Sequence, residues 1–321
     1  DMLFSAVTDH RYIDVGHPLH FTNKALEALD ATNWGDAALV LTSLVRGYAM
    51  ASRMEESNAW RHPIDLVAML ETAFEKLPIL WHAPQSARKG NSASITVETL
   101  LGDDPQAIVD ELLAALQAGH SPEAIAQTVA YAAALRIARF HTSNEFGDWD
   151  TALHTFTFAN AVHQGMRRAP SPELLRGVFD AAMSIYLDRF LNMPAARIPE
   201  PAAGTEPQAI LANLAALLDR QQQVGAAAQQ VVDYLATGAE PQRLLAAIGR
   251  LLLREDRDFH TIQAVEAALR QYELAHNDAQ RTHFLVAAVR YLAAHAPTVR
   301  AQGQTYQIAV RLHRGEELFE G

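Results

Sequence analysis

The sequence predicts an all-α fold, an internally repeated multi-helix bundle with histidines at helix N-termini. Three observations point there. Apolar residues recur at three- and four-residue spacing through most of the chain, the period of one helical face. Alternating strand-like runs bounded by Asn-Gly or Asp-Gly turns are absent until the end, where TYQIAVRL is expected to form one strand. Helix-stopping glycine followed closely by helix-starting proline recurs along the chain.

Taken in order, LDATNWGDAALVLTSLV from Leu29 reads as a helix, followed by a histidine-led helix and then by ETAFEKLPIL. LQAGHSPEAIAQTVAYAAAL (Leu116 to Leu135) carries a leucine, a glycine suited to a left-handed cap, then a proline opening the next helix. LATGAEPQRLLAAIGRLLL (Leu235 to Leu253) repeats that arrangement, and the segment from Leu29 is a looser copy. A histidine-led helix follows each, and then a third helix such as LLRGVFDAAMSIYLDRFL or HFLVAAVRYLAAHAP. The period is roughly 90 to 110 residues, longer than solenoid repeats, so a repeated bundle is expected rather than an ankyrin or TPR array. RIPEPAAGTEP, Arg197 to Pro207, reads as a linker, which divides the chain into N-terminal repeats over 1–198 and a C-terminal repeat over 199–321, packed as one unit.

Composition narrows the function. The chain has 321 residues with 26 Lys+Arg against 37 Asp+Glu, a formal charge of -11. Dispersed basic residues in an acidic chain argue against nucleic acid and against an anionic membrane surface. No apolar run approaches a membrane span, so a soluble, cytoplasmic protein is expected. The chain opens on Asp1, as a trimmed product or excised domain would, and flanking sequence is expected. With no cysteine, the chain has no thiolate ligand for zinc, haem or an all-cysteine cluster. A metal must then be held by His, Asp or Glu.

Four histidines fall in register at predicted helix openings: His17 in HPLHFTNKAL, His62 in HPIDLVAML, His154 in HTFTFANAV and His260 in HTIQAVEAAL. Convergent neutral imidazoles suit iron, zinc, copper or nickel, each needing its second ring nitrogen held by a carboxylate or carbonyl. The bland alternative is histidine at ordinary helix boundaries, although caps usually employ Ser, Asp or Asn. His10 and His20 near the first opening, and His141 in RFHTSNEFGDWDTALHTF, are further candidate ligands. In that loop Thr142 and Glu145 read as a capping box and Asp150 as an N-cap, leaving His141, Asp148 and His154 for function. Asp148, Glu145 and Asp14 are candidate carboxylate ligands, hydrogen-bond partners or proton donors. Trp149, Phe156 and Phe158 are candidate walls for a small, largely apolar substrate, and equally plain core. Glycine-rich phosphate loops, GxSxG, HExxH and paired ExxH motifs are absent.

The phrases DHRYIDVGHPLHFTNKALEALD, WRHPIDLVAMLE and FHTSNEFGDWDTALHTFTFANAV resemble the helical region preceding a Rieske-type 2Fe-2S domain in certain bacterial proteins. HPLHF and the His-led helices are similar, over short segments only, to questin oxidase-like oxygenases associated with Baeyer-Villiger ring opening. The resemblance implies a non-haem iron oxygenase or oxidoreductase with an external Rieske-type electron donor, since the cluster ligands themselves are absent here. The resemblance carries over no ligand positions. A non-enzymatic, protein-binding helical scaffold and a haem protein with His axial ligands remain the alternatives.

Overall fold

The computed structural model describes residues 2–82, 95–202, 204 and 206–316, and every secondary element among them is helical. Of the predicted linker, residues 203 and 205 lie outside the described residues. The chain divides into two compact units, one of residues 1–136 and 146–193, the other of residues 137–145 and 194–321.

The first unit runs α1 (Met2–Thr8), α2 (His17–Ala31), α3 (Ala37–Met50), α4 (Asn58–Arg61), α5 (Leu66–Phe74), α6 (Leu77–His82), α7 (Val97–Leu100), α8 (Pro105–Ala118), α9 (Pro122–Ala138), α10 (Phe146–Arg168) and α11 (Pro172–Leu187). α9 ends two residues inside the second unit. Cap chemistry sets several of these ends. Asp104 accepts the N–H groups of Gln106 and Ala107 ahead of Pro105, and Gly119 closes α8 at φ 92. Ser171 accepts the N–H of Leu174 to open α11.

α10 is the central helix of this unit, packed on α2 and α11 and buried almost all round. Small residues let its neighbours close in: a Cβ on Gly177 of α11 would sit 3.2 Å from Val162 of α10. Arg11, in the turn after α1, is buried and donates to both carboxylate oxygens of buried Asp180 on α11, at 3.0 and 3.2 Å. Its other terminal nitrogen donates to the carbonyls of Thr8 and Asp9, so both terminal nitrogens of the guanidinium are engaged.

The second unit contains α12 (Pro207–Leu217), α13 (Val224–Ala236), α14 (Pro241–Leu253), α15 (Phe259–Leu274), α16 (Asp278–Ala294) and α17 (Ala301–His313). α16 is its core helix, flanked by α13 and α15. Its buried Arg290 donates to the carbonyls of Phe140 and Arg197, at 2.8 and 2.9 Å, which ties the 137–145 segment and the start of the linker into this unit. Gly238, after α13, takes a positive φ of 71 as its helix-stopping assignment requires.

Three local expectations are corrected. TYQIAVRL is helical within α17: with no strand among the described residues to pair with, an extended segment would leave its backbone groups unsatisfied, whereas a helix satisfies them internally. The capping box does not open α10, because the helix begins only at Phe146, beyond both residues; Thr142 Oγ1 instead meets His141 Nδ1 at 3.3 Å, and Asp150 lies inside the helix. Glycine in a helix costs about 1 kcal/mol, while burying an aromatic such as Trp149 returns roughly 2–3 kcal/mol, so the helix runs through Gly147 to bury Trp149. The helix-opening register holds for His17 and His260 only. His154 lies more than two turns inside α10, and His62 is exposed at the C-terminal end of α4, with α5 opened by Asp65 instead. The internal repeat loses that part of its support.

Candidate metal centre

His17 is the first residue of α2, and the turn before it is unusual. Tyr12, Asp14 and Val15 all have left-handed backbone, at φ 48, 44 and 48, followed by Gly16 at φ 91. Such conformations cost roughly 1–2 kcal/mol per non-glycine residue, and they persist where the surroundings over-determine them. Here the Asp14 N–H donates to the Ser52 carbonyl at 2.8 Å and Ser52 Oγ donates to Asp14 Oδ1 at 3.1 Å. Tyr12 is buried with its ring edge-on to Phe158, centroids 5.0 Å apart. Gly16 lies so close to α10 that a Cβ there would sit 2.6 Å from the Phe158 Cβ. The result is a His17 ring held against α10, where it meets the His154 ring edge-on with centroids 4.9 Å apart.

His154 is buried, and its Nδ1 lies 2.7 Å from the Asp150 carbonyl and 3.7 Å from Asp150 Oδ2. A carbonyl only accepts, so Nδ1 carries the proton and Nε2 is left as the lone-pair nitrogen. His260 is the second residue of α15 and half-buried; its Nδ1 lies 3.6 Å from Asp258 Oδ2. Asp258 is also the helix cap, with Oδ1 accepting from Thr261 N–H and Oγ1. Partial burial pushes its carboxyl up, but the Thr261 bonds and the neighbouring His260 outweigh this and hold it below the usual carboxylate range. His17 repeats the arrangement, with Nδ1 3.8 Å from Asp14 Oδ2.

His17 and His154 thus form a pair of imidazoles within the first unit, and His260, of the second unit, is the third histidine of the group that has an aspartate beside Nδ1. Each of the three rings has an aspartate carboxylate 3.6–3.8 Å from Nδ1, the side on which carboxylate–histidine–metal sites hold the second ring nitrogen.

The other candidate residues lie outside that group. His10 pairs with Glu55 through Nδ1 at 2.5 Å. His20 is buried one turn along α2 from His17, with its ring edge-on to Phe21. His62 is exposed, as is His141, whose Nδ1 accepts from Ser143 N–H at 3.3 Å. Asp148 is half-buried in the first turn of α10, and Glu145 is exposed just before it. Asp14 is placed beside His17. Trp149, Phe156 and Phe158 are buried along α10, and Phe158 supports the His17 turn.

Sequence reasoning missed Asp150 and Asp258 as imidazole partners. The signal was there: of the 14 histidines, only His17, His154 and His260 carry an aspartate two to four residues before them. A second feature behind His154 was also missed. The adjacent Thr155 hydroxyl lies beside both Tyr12 and the buried carboxyl of Asp188 and favours the charged form of each. Burial pushes Asp188 up to about 7, against the opposing effects of Thr155 and Arg136. Burial and Asp188 together push the Tyr12 hydroxyl above its ordinary range. No known protein family, no characterised protein and no solved structure matches the chain.

Proposed function

We propose that this chain is a metalloprotein in which His17 and His154 hold one transition-metal ion through Nε2, with His260 as the third ligand that the sequence names, and that it is a metal-dependent oxidoreductase. The observation that carries the reading is the meeting of the His17 and His154 rings, centroids 4.9 Å apart, each with an aspartate beside its Nδ1; His260 joins them on the sequence reading and on the same aspartate pairing. An all-imidazole set suits iron, copper or zinc, and three protein ligands leave positions for water or substrate, as in catalytic rather than closed structural sites. A redox-active ion there would supply oxygen activation, whereas zinc would supply Lewis-acid chemistry.

The residues of the chain have separable roles in this reading. The Asp150 carbonyl and the Asp14 and Asp258 carboxylates fix which ring nitrogen is protonated and how each ring is turned. Phe158, Gly16 and the left-handed turn keep His17 at its distance from His154. With iron, electrons come from outside the chain, because without cysteine it has no iron–sulfur cluster of the all-cysteine or Rieske kind; a Rieske-type donor fits the sequence resemblance.

Metal analysis of untagged protein after anaerobic iron loading and separate zinc loading tests the proposal. About one equivalent of one ion is expected, falling several-fold in His154→Ala and in His260→Ala with helicity retained. Less than about a tenth of an equivalent in every loading would overturn it. Zinc bound in preference to iron would keep the centre and replace the redox assignment with Lewis-acid chemistry. A Soret band would replace it with haem.

A further inference from the structure

α3 exposes several large apolar side chains. Leu39 is 73% exposed, Val45 59% and Met50 77%, and Trp34 just before the helix is 45% exposed. Only Leu44 is buried, and the helix rests on α2 through its Val40, Leu44 and Tyr48 side. By the helical period the outward face is Ala38, Leu39, Thr42, Val45, Arg46, Ala49 and Met50. It carries one charge, Arg46, and no acidic residue, in a chain of net charge -11. Scattered exposed leucines are ordinary, but side chains of this size sharing one face form a patch on the order of several hundred Å2, the scale that marks an interaction site.

The face is complementary to itself. In an antiparallel pair with the two-fold axis at the level of residue 44, Ala38 lies opposite Met50, Leu39 opposite Ala49 and Thr42 opposite Arg46. Each large side chain then meets a small one, and the two arginines are separated along the pair instead of stacked. That is the condition for an isologous contact, in which the same patch serves both subunits. Two such patches, with Trp34 at the rim, reach on the order of 1,000 Å2 of total buried area, the lower range for a specific dimer. An acidic chain is repelled by anionic lipid, which makes a bilayer the poorer occupant of this face. We infer that α3 is a homodimerisation helix, pairing antiparallel with α3 of a second copy.

Sedimentation equilibrium of the whole chain tests this, together with cross-linking in its cysteine-free background. A dimer is expected at about 50 µM, an ordinary concentration range for an interface of this size. Leu39→Glu and Met50→Glu should each shift it to monomer with unchanged helical content and melting temperature. The combined Ala38→Cys and Met50→Cys chain should form a covalent dimer under mild oxidation, and Ala38→Cys alone should not. A wild-type chain that is monomeric at that concentration, a dimer unaffected by either glutamate, or a face that binds neutral lipid vesicles without dimerising would each overturn the inference.

Discussion

Gly16 and Phe158 stand in a contact that no other residue at position 16 can make: a Cβ on Gly16, already at φ 91, would fall 2.6 Å from the Phe158 Cβ. That approach sets how closely the start of α2 lies on α10, and with it the spacing of His17 and His154. Gly16→Ala should therefore both strain the backbone and push the two helices apart. A loss of about 2–4 kcal/mol is expected in urea unfolding. Metal affinity measured by competition with a chelator should fall more than in a surface control of similar stability.

The aspartates beside the three histidines differ in how they act, and substitution should separate them. Asp258→Ser keeps a helix cap for α15 but removes the carboxylate from His260 Nδ1; a fall of about 10- to 100-fold in metal affinity is expected. Asp14→Asn should act in the same direction. Asp150→Ala leaves the main-chain carbonyl that lies 2.7 Å from His154 Nδ1, so a smaller loss is expected. Equal losses at Asp150 and Asp258 would contradict this division.

Asp188 gives a pH test whose sign is fixed. Its folded-state pKa is about 7, above the ordinary 3.8, because the carboxyl is buried. Between those values the native state holds a proton that the unfolded chain has released, so this group's contribution to stability declines as pH rises through that window. Asp188→Asn removes that slope. Unfolding free energies measured from pH 5 to pH 8 should show the variant gaining on the wild type as pH rises, and a constant difference would contradict the assignment.

The buried Arg11–Asp180 pair predicts an asymmetry. Arg11→Met leaves the Asp180 carboxylate in the core without its partner, at a cost of about 3–5 kcal/mol. Arg11→Met with Asp180→Leu should recover most of that loss, measured by denaturant unfolding, because the desolvated charge goes with its partner.

The helical class was legible because a three- to four-residue apolar period survives nearly everywhere, and the glycine–proline punctuation placed the ends of α8 and α13 well. It misled where burial outweighed local preference. Trp149 draws the helix back through Gly147, so a predicted loop became the first turns of α10, and His154 moved from an opening to the interior. His62 shares the His-Pro wording of His17, but its helix is opened by Asp65 three residues later. At the metal site His17, His154 and His260 were readable as candidates; what distinguished them from His62 was the aspartate shortly before each. The left-handed turn that aims His17 was not readable, because Tyr12, Asp14 and Val15 are residues that rarely adopt such backbone.

X-ray absorption at the metal edge of the loaded protein tests the central claim most directly. Three imidazole nitrogens at about 2.0–2.1 Å are predicted, with one imidazole lost in His260→Ala and one in His154→Ala. A first shell with one imidazole or none, or a spectrum unchanged by both substitutions, would contradict a centre built from His17, His154 and His260.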